Sequence, residues 1–425
     1  MKIVMFEGQD LAALYPLVYL RPVFELRCGA LTLRQKVQEK FPSCELHLEA
    51  REALTKVASD MYGPGAVNSP ERLAADDDVL LVAGGAILTG PPQDYTEREA
   101  LATTKDGHFI WAFLRRETVR KLKAESAGEL AEGAAGHLAP HVSGDVLMRH
   151  LWDLISHNAG QISADFKALY ASRKGAELDR RVAVAGDPAD LYVAEGAQVQ
   201  PWTFIDVRDG PVVIEQEALV RAHTSIQGPA FIGRQSQLLE ARIREGTTIG
   251  PVCRVGGEVE ESIIHGYSNK YHTGFLGHAY VGEWVNLGAL TTNSDLKNDY
   301  GTVSVYVGGQ PVDTGSKKVG SFIGDHTKTS IGTLLNTRSV VGIMCNLVAG
   351  PSVLPKYIPS FCWYLDGRIS KGLGLGQSLE TARAAMERRG VQLTEATVEL
   401  IKYTEELTRQ EKMDKVRRDR KRVLR

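Results

Sequence analysis

The chain has 425 residues, 43% hydrophobic and 24% charged, with a net charge of −2. That length leaves room for two or three domains, and the composition is ordinary for a globular protein. Near-neutral charge excludes a global pull toward nucleic acid or a membrane surface, and no apolar run approaches the roughly 18 residues of a membrane span.

The start, MKIVMFEGQD, turns acidic after one short apolar run, unlike a signal peptide. Strands are expected at Lys2–Phe6, Val79–Ala83 and Phe109–Phe113, and helices over Leu31–Lys40 and Leu151–His157. Their alternation predicts an α/β domain with a mainly parallel sheet over residues 1–185. The stretch P-L-V-Y-L-R-P-V-F-E-L-R-C-G-A-L-T-L-R-Q-K carries Arg21, Arg27, Arg34 and Lys36. Such basic residues suit a phosphate or a nucleotide sugar; the plainer reading is a helix with exposed basic side chains after a turn at Pro22. Asp10, Asp76, Asp77, Asp78 and Asp165 are the available metal ligands, and their spacing selects none of them, so the metal site is unknown.

A different rhythm runs from about Asp190 to Pro359. From Ile323 every sixth residue reads Ile323, Thr329, Leu335, Val341, Leu347, Val353, and small residues follow the beats at Thr327, Thr333, Ser339 and Cys345, with Pro351 the exception. Earlier runs are Val193, Val199, Ile205 and Ile214, Val220, Ile226, Ile232, Leu238, then Ile243, Ile249, Val255 and Val281, Leu287. A period of six belongs neither to an alternating strand nor to a helix. It marks a parallel β-helix built from hexapeptides, over residues 186–375, with one aliphatic side chain per hexad entering the prism. Between Asn293 and Gly320 the beat stops in a long loop carrying Lys297, Lys317 and Lys318; long loops on rigid scaffolds usually carry function.

Residues 376–425 read as helical. Leu379, Ala382, Ala385 and Met386 form one apolar stripe; Thr394 can cap a second helix with the stripe Val398, Ile401 and Leu407. The tail from Lys415 holds seven basic residues and one acid, which reads as a solvated helix end or, alternatively, a polyanion contact. Cys28, Cys44, Cys253, Cys345 and Cys362 are widely spaced without any C-x-x-C, a pattern that fits a reducing cytoplasm.

From Asn269 the chain reads N-K-Y-H-T-G-F-L-G-H-A-Y-V-G-E-W-V-N-L-G-A-L-T-T-N. His265, His272 and His278 allow a zinc reading, but the six-residue step from His272 to His278 puts them on successive faces of a prism, and zinc ligands must converge within about 2.1 Å of one point. The stretch resembles instead the hexapeptide-repeat bifunctional enzymes that acetylate glucosamine-1-phosphate and uridylylate the product. Their acetyltransferase pattern of His, an aromatic, Leu-Gly, Val-Asn-(Ile/Leu)-Gly-Ala and a following Asn is filled here by His272, Phe275, Leu276, Gly277, Val285, Asn286, Leu287, Gly288, Ala289 and Asn293. Where the family commonly has Tyr, this chain has Phe275.

The resemblance implies an α/β nucleotidyltransferase-like (Rossmann-like) domain, an all-β left-handed parallel β-helix and C-terminal helices. It makes His272 the catalytic base and Asn286, Asn293, Lys297 and Phe275 substrate-binding residues, with Asn293 positioning the sugar and Lys297 meeting its phosphate. Imidazole suits the role because acyl transfer to an amine needs a proton taken near neutral pH. Acetyl-CoA would be the donor, an aminosugar phosphate or amino-nucleotide-sugar the acceptor, and Mg²⁺ the metal of the nucleotidyl step. A cytoplasmic homotrimer with clefts between neighbouring prisms is implied, without membrane or nucleic-acid partners.

The front region resembles a divergent branch of these enzymes through its P-L-x-x-x-R-P and L-R-x-G patterns, carried by Pro16, Leu17, Arg21, Pro22, Arg27 and Gly29. Only Gly8 stands where the usual loop has several glycines and an Arg, and Gly84-Gly85 replaces the usual Gly-Asp whose Asp binds metal. Two rival readings follow: a sugar-1-phosphate nucleotidylyltransferase whose solenoid only trimerises, and a non-catalytic assembly or regulatory protein.

Overall fold

The computed structural model describes residues 1–8, 11–74, 76–350 and 353–423; Asp10, Pro351 and Arg425 lie outside them. Contacts divide the chain into two units, one of residues 1–14, 20–26 and 31–150, the other of 15–19, 27–30 and 151 onward.

The first unit is built on a six-stranded sheet of β1 (Lys2–Phe6), β2 (Glu45–Glu49), β3 (Val79–Ala83), β4 (Ala100–Thr103), β5 (Phe109–Leu114) and β6 (Pro140–Val142), in the order β2-β1-β3-β5-β4-β6. Every residue of β1 and β3 is buried, which is why both read as unbroken apolar runs. β1 pairs in parallel with β2 and β3, and β4 with β6, whereas β5 runs antiparallel to β3 and β4. Five of the six strands therefore run the same way, as expected of a mainly parallel sheet, and β5 is its antiparallel strand. The cause is the connection from β4 to β5, a turn closed by Thr104 N donating to His108 O at 2.8 Å, too short to hold a crossover helix. Helix α1 (Leu33–Lys40) starts at a capping box between Thr32 and Gln35. Helix α2 (Ala127–His137) packs Leu130 and Ala134 with Val4 and Leu81 of the sheet.

The second unit carries the repeat. Its first face is a sheet of nine parallel strands, from Leu191–Val193 to Tyr357–Ile358. Their inward residues form one column: Val193, Ile214, Ile232, Ile249, Ile264, Val281, Ile323, Val341 and Ile358, each in register with the next. All nine are buried, and each such side chain contributes about 1.5–3 kcal/mol of transfer free energy. The second face includes Val199, Val220, Leu238 and Val255, and the third Ile205, Ile226, Ile243, Val259 and Leu276. The fold class is the expected one: a Rossmann-like sheet, a left-handed parallel β-helix and C-terminal helices.

Corners between the first and second faces hold residues with φ between +53° and +60°, among them Glu217, Tyr267, Trp284, His326 and Phe361. A left-handed conformation costs a non-glycine residue roughly 1–2 kcal/mol. The previous turn offsets it with a backbone hydrogen bond, as from His326 N to Glu283 O at 2.8 Å.

Two expected positions need correction. Val353 is 49% exposed, and Leu354 takes the buried place instead, so the six-residue beat slips there by one. Leu407 is 55% exposed: in helix α5 (Glu395–Val423) the buried face runs through Leu400, Ile401, Thr404, Thr408 and Val416. The threonines fit inside because their hydroxyls donate to carbonyls one turn back, Thr404 to Leu400 and Thr408 to Thr404, both at 2.8 Å. Thr394 does cap this helix, accepting from Thr397 N at 3.2 Å. Ahead of it, α4 (Leu375–Glu387) buries Ala382 and Met386. Helix α3 (Leu151–Leu169) opens the unit, packing Ile162 and Phe166 with Val213 and Phe231.

Candidate functional site: the His272 corner of the solenoid

His272 stands on the corner between the second and third faces, after the strand Asn269–Lys270 and before Phe275–Gly277. Its side chain is exposed and makes no hydrogen bond among the described residues. The same corner carries exposed apolar side chains on other turns: Trp202, Leu290 at 58% and Ile331 at 72% exposure. The corner is thus mixed in character: these apolar side chains share it with exposed His223 and Glu240 on other turns, and with His272.

Beneath His272 the prism is not apolar. Lys270 pairs in register with Val255 and so occupies an inward position, only 3% exposed. Its ammonium donates to Gly256 O at 2.6 Å and to His272 O at 3.1 Å, fixing the corner from inside. Burial lowers its pKa to about 8, against the opposing pull of Glu258.

The other expected site residues divide among neighbouring places. Asn293 is inward too, in register with Leu335 and 2% exposed. Its amide oxygen accepts from Gly277 N and its amide nitrogen donates to Gly277 O, both at 2.8 Å. Both ends of the amide are committed to that backbone, so Asn293 braces the third face instead of presenting itself to a sugar. Phe275 N donates to Thr292 Oγ1 at 3.3 Å, on the outward side of that face. Lys297 lies in a groove of about 540 Å³ on the loop side, together with Arg338 and Lys356. Asn286 faces a separate cleft of about 300 Å³ that it shares with Arg388 and Arg389. There Asn269 donates to Asn286 Oδ1 at 3.1 Å and accepts from Arg389 Nη2 at 2.9 Å. The structure thus flanks His272 with Asn286 on one face and Phe275 on the next, while His272 lines neither the groove nor the cleft.

The other two histidines of the zinc reading have different partners. His265 Nδ1 lies 2.9 Å from the Tyr280 hydroxyl. His278 sits between Asp295 at 2.9 Å and Glu261 at 2.8 Å. Burial alone would lower its pKa, but those two carboxylates prevail and raise it to about 9.

In the first unit, a cavity of about 320 Å³ opens at the carboxyl ends of β1 and β3, lined by Phe6, Gly8, Ala83, Gly84 and Gly85 and by His108, Arg149 and His150. Open α/β sheets bind their ligands at that place. The basic residues chosen from sequence do not line it. Arg34 pairs with Glu25 and lies over the Tyr62 ring at 5.0 Å; Arg21 is buried, and Lys36 is absent from the lining. Arg27 belongs to the second unit, where its backbone N donates to the Tyr280 hydroxyl at 3.0 Å.

Among the described residues, the cavity's lining does not fit a divalent metal. Glu132 is the one carboxylate in the described lining. A Cβ on Gly85 would come within 2.6 Å of Met148 O, so an Asp cannot stand there without moving backbone. Asp76, Asp77 and Asp78 lie just ahead of β3, at its opposite end, held by Lys2 at 2.6 Å, the N-terminal amine at 2.5 Å and Arg115 at 2.8 Å. Asp165, on α3, accepts from Ala30 N at 2.8 Å. The signals that sequence reasoning missed were Lys270, which broke the hexad beat, and His108, Arg149 and His150, which carry no local pattern.

Residues 3–174 match the sugar nucleotidyl transferase family. The chain is 32% identical over 155 residues to a bifunctional sugar-1-phosphate nucleotidylyltransferase/acetyltransferase of Sulfurisphaera tokodaii, covering 34% of this chain and 37% of that one. It is 34% identical over 114 residues to the bifunctional protein GlmU of Thermus thermophilus, 26% of this chain and 24% of the relative. To GlmU of an Exiguobacterium species it is 26% identical over 200 residues, 42% of each chain. The chain therefore spans less than half the length of each of these relatives. Its front region carries the sugar nucleotidyl transferase pattern, and the protein is similar over part of its length to bifunctional nucleotidylyltransferase/acetyltransferases.

Proposed function

We propose that the solenoid transfers the acetyl group of acetyl-CoA to the amine of an aminosugar phosphate or amino-nucleotide-sugar, with His272 as the base. The observation that carries this reading is the exposed imidazole, without a side-chain hydrogen bond among the described residues, on a corner braced by Lys270. In the step proposed, the amine nitrogen attacks the thioester carbonyl, imidazole takes its proton, the C–S bond breaks and the thiolate leaves with that proton. Backbone N–H groups at a corner can hold the oxyanion. The exposed side chains of Trp202, Leu290 and Ile331 along the same corner support self-association, and we read the protein as a homotrimer in which a second copy completes the cleft over His272. Asn286 and Phe275 flank the acceptor; Phe275 offers it no hydroxyl.

The cavity of the first unit supports nucleotide-sugar binding as a second element of the same reading, because it lies where such sheets hold ligands and His108 and Arg149 line it. The proposed domains are 1–185, 186–375 and 376–425, whereas contacts group residues 151–185 with the solenoid. The protein is read as cytoplasmic, in keeping with its five free thiols. No described helix is long and apolar enough to cross a membrane.

The test is CoA release from acetyl-CoA with glucosamine-1-phosphate and a panel of aminosugar phosphates. Activity lost in His272→Ala supports the reading, and a parent protein inactive across the panel ends it.

A further inference from the structure

The groove beside the loop that follows Asn293 holds more positive charge than its lining offsets. Lys297, Arg338 and Lys356 face it with Asp299 as the one acid in the described lining. Asp299 pairs with Lys297 at 3.1 Å. Arg338 Nη1 donates to Ser304 O at 2.6 Å, which ties the loop's hairpin, Ser304–Val307 with Gln310–Asp313, to the prism. The Lys356 ammonium makes neither an ion pair nor a hydrogen bond among the described residues, while its carbonyl accepts from Val340 N at 2.8 Å. Burial first, then the like charges of Arg338 and Lys297, hold its pKa below the ordinary lysine value. Three cations less one acid leave a surplus of two positive charges in a chain whose net charge is −2. Like charges so crowded repel one another until an anion binds.

The side-chain amides of Asn298 and Asn336 line the same groove and make no hydrogen bond among the described residues, so they add neutral donors. Leu334 and Val353, both exposed, supply apolar contact at its wall. A volume of about 540 Å³ exceeds what inorganic phosphate needs and suits an organic ligand. A phosphate monoester carries close to two negative charges near neutral pH, which matches the surplus; a single carboxylate would leave half of it.

We propose that Lys297, Arg338 and Lys356 form a clamp for the phosphate of an organic phosphate monoester. Arg338 supplies a planar fork already oriented by Ser304, and the two lysines supply point charges, that of Lys297 held by Asp299 and by Thr302 O at 3.2 Å. For the identity of the ligand, the inference rests on the acetyl-transfer reading. Two phosphates are then available, that of the aminosugar and the 3′-phosphate of the coenzyme, and the same chemistry serves either.

Calorimetric titration of the full chain separates them, with glucosamine-1-phosphate, with 3′,5′-ADP as the phosphate end of the coenzyme, and with glucosamine as the phosphate-free control. One phosphate ligand is expected to bind and glucosamine not to. Lys356→Gln and Lys297→Gln should each raise Kd about tenfold, the loss of one charge-assisted contact, with affinity falling as salt rises. Both side chains project from the groove wall, so neither change threatens the fold. Wild-type protein that binds neither phosphate ligand, or variants that bind as tightly as wild type, would overturn the clamp. His272→Ala is the separating control: it must keep phosphate binding whether or not the parent transfers acetyl groups. Binding that falls in Lys356→Gln in a protein without transfer activity sinks the enzyme reading and leaves the clamp standing.

Discussion

The two units solve the problem of holding a ligand in opposite ways. The sheet of the first keeps its cavity where parallel strands end, and among the described residues Glu132 is the one carboxylate in its lining. The solenoid has no enclosed cavity at His272; its regular columns instead carry polar exceptions, Lys270 and Asn293, packed inward on adjacent faces below that corner. In the sheet, architecture outlasts the reactive groups. In the prism, a repetitive scaffold breaks its own repetition beneath the residue we propose as the base. Substrate-handling regions differ from bare scaffold in tolerating such local inconsistency.

The widest test of that contrast is His272→Ala. Removing the base should lower acetyl transfer by about 10²–10⁴-fold and leave the melting temperature unmoved, because the exposed ring makes no hydrogen bond among the described residues. A variant that loses stability along with activity would show the corner to be structural.

Asn293→Ala should do the reverse. The substitution strands Gly277 N–H and C=O inside the prism, at about 1–3 kcal/mol each, so denaturant unfolding should show a loss of several kcal/mol. If the midpoint holds while KM for the acceptor rises, Asn293 touches substrate after all, and its brace on Gly277 is dispensable. In the first unit, Gly85→Ala tests whether the glycine pair serves backbone packing: with Met148 O in the way, about 1–3 kcal/mol should be lost. Pyrophosphate release from UTP and a sugar-1-phosphate should be slow in the parent, and a robust rate would show that the cavity recruits a metal by groups other than those described.

Legibility followed the same division. β1 and β3 match their expected limits residue for residue, because strands buried on both faces leave an unbroken apolar run. The hexads were legible wherever the inward residue was aliphatic. They vanished from view at Lys270, where a lysine fills a valine's place, and slipped at Val353, where Leu354 turns inward. The beat stops at Asn293, so spacing could not reveal that Lys297 joins Arg338 and Lys356 in one groove while Asn286 joins Arg388 and Arg389 in a separate cleft. Nor could it reveal that Arg34 is committed to Glu25, a pairing made by the folded loop.

The smallest effect, and the one most specific to the prism's interior, is the pH dependence of His278. Its pKa rises from 6.5 to about 9 on folding, burial opposing and the Asp295 and Glu261 hydrogen bonds prevailing. A raised value means that the folded state holds the proton more tightly, so the stabilisation is complete below pH 6.5 and is lost as pH climbs through 9. Lys270 and Lys328 act oppositely: burial lowers each to about 8, so their penalty is present below pH 8 and relieved between there and their unfolded value. Wild-type stability alone therefore mixes two signs, and the informative quantity is the difference between wild type and His278→Asn. That difference should be largest near pH 6, at most about 3 kcal/mol, and should shrink steadily between pH 7 and 10 in urea titrations. A difference that stays constant across that range would mean that His278 is neutral in the fold. With one N–H, a neutral imidazole would donate to only one of Glu261 and Asp295, and only the lysines would give the interior its pH response.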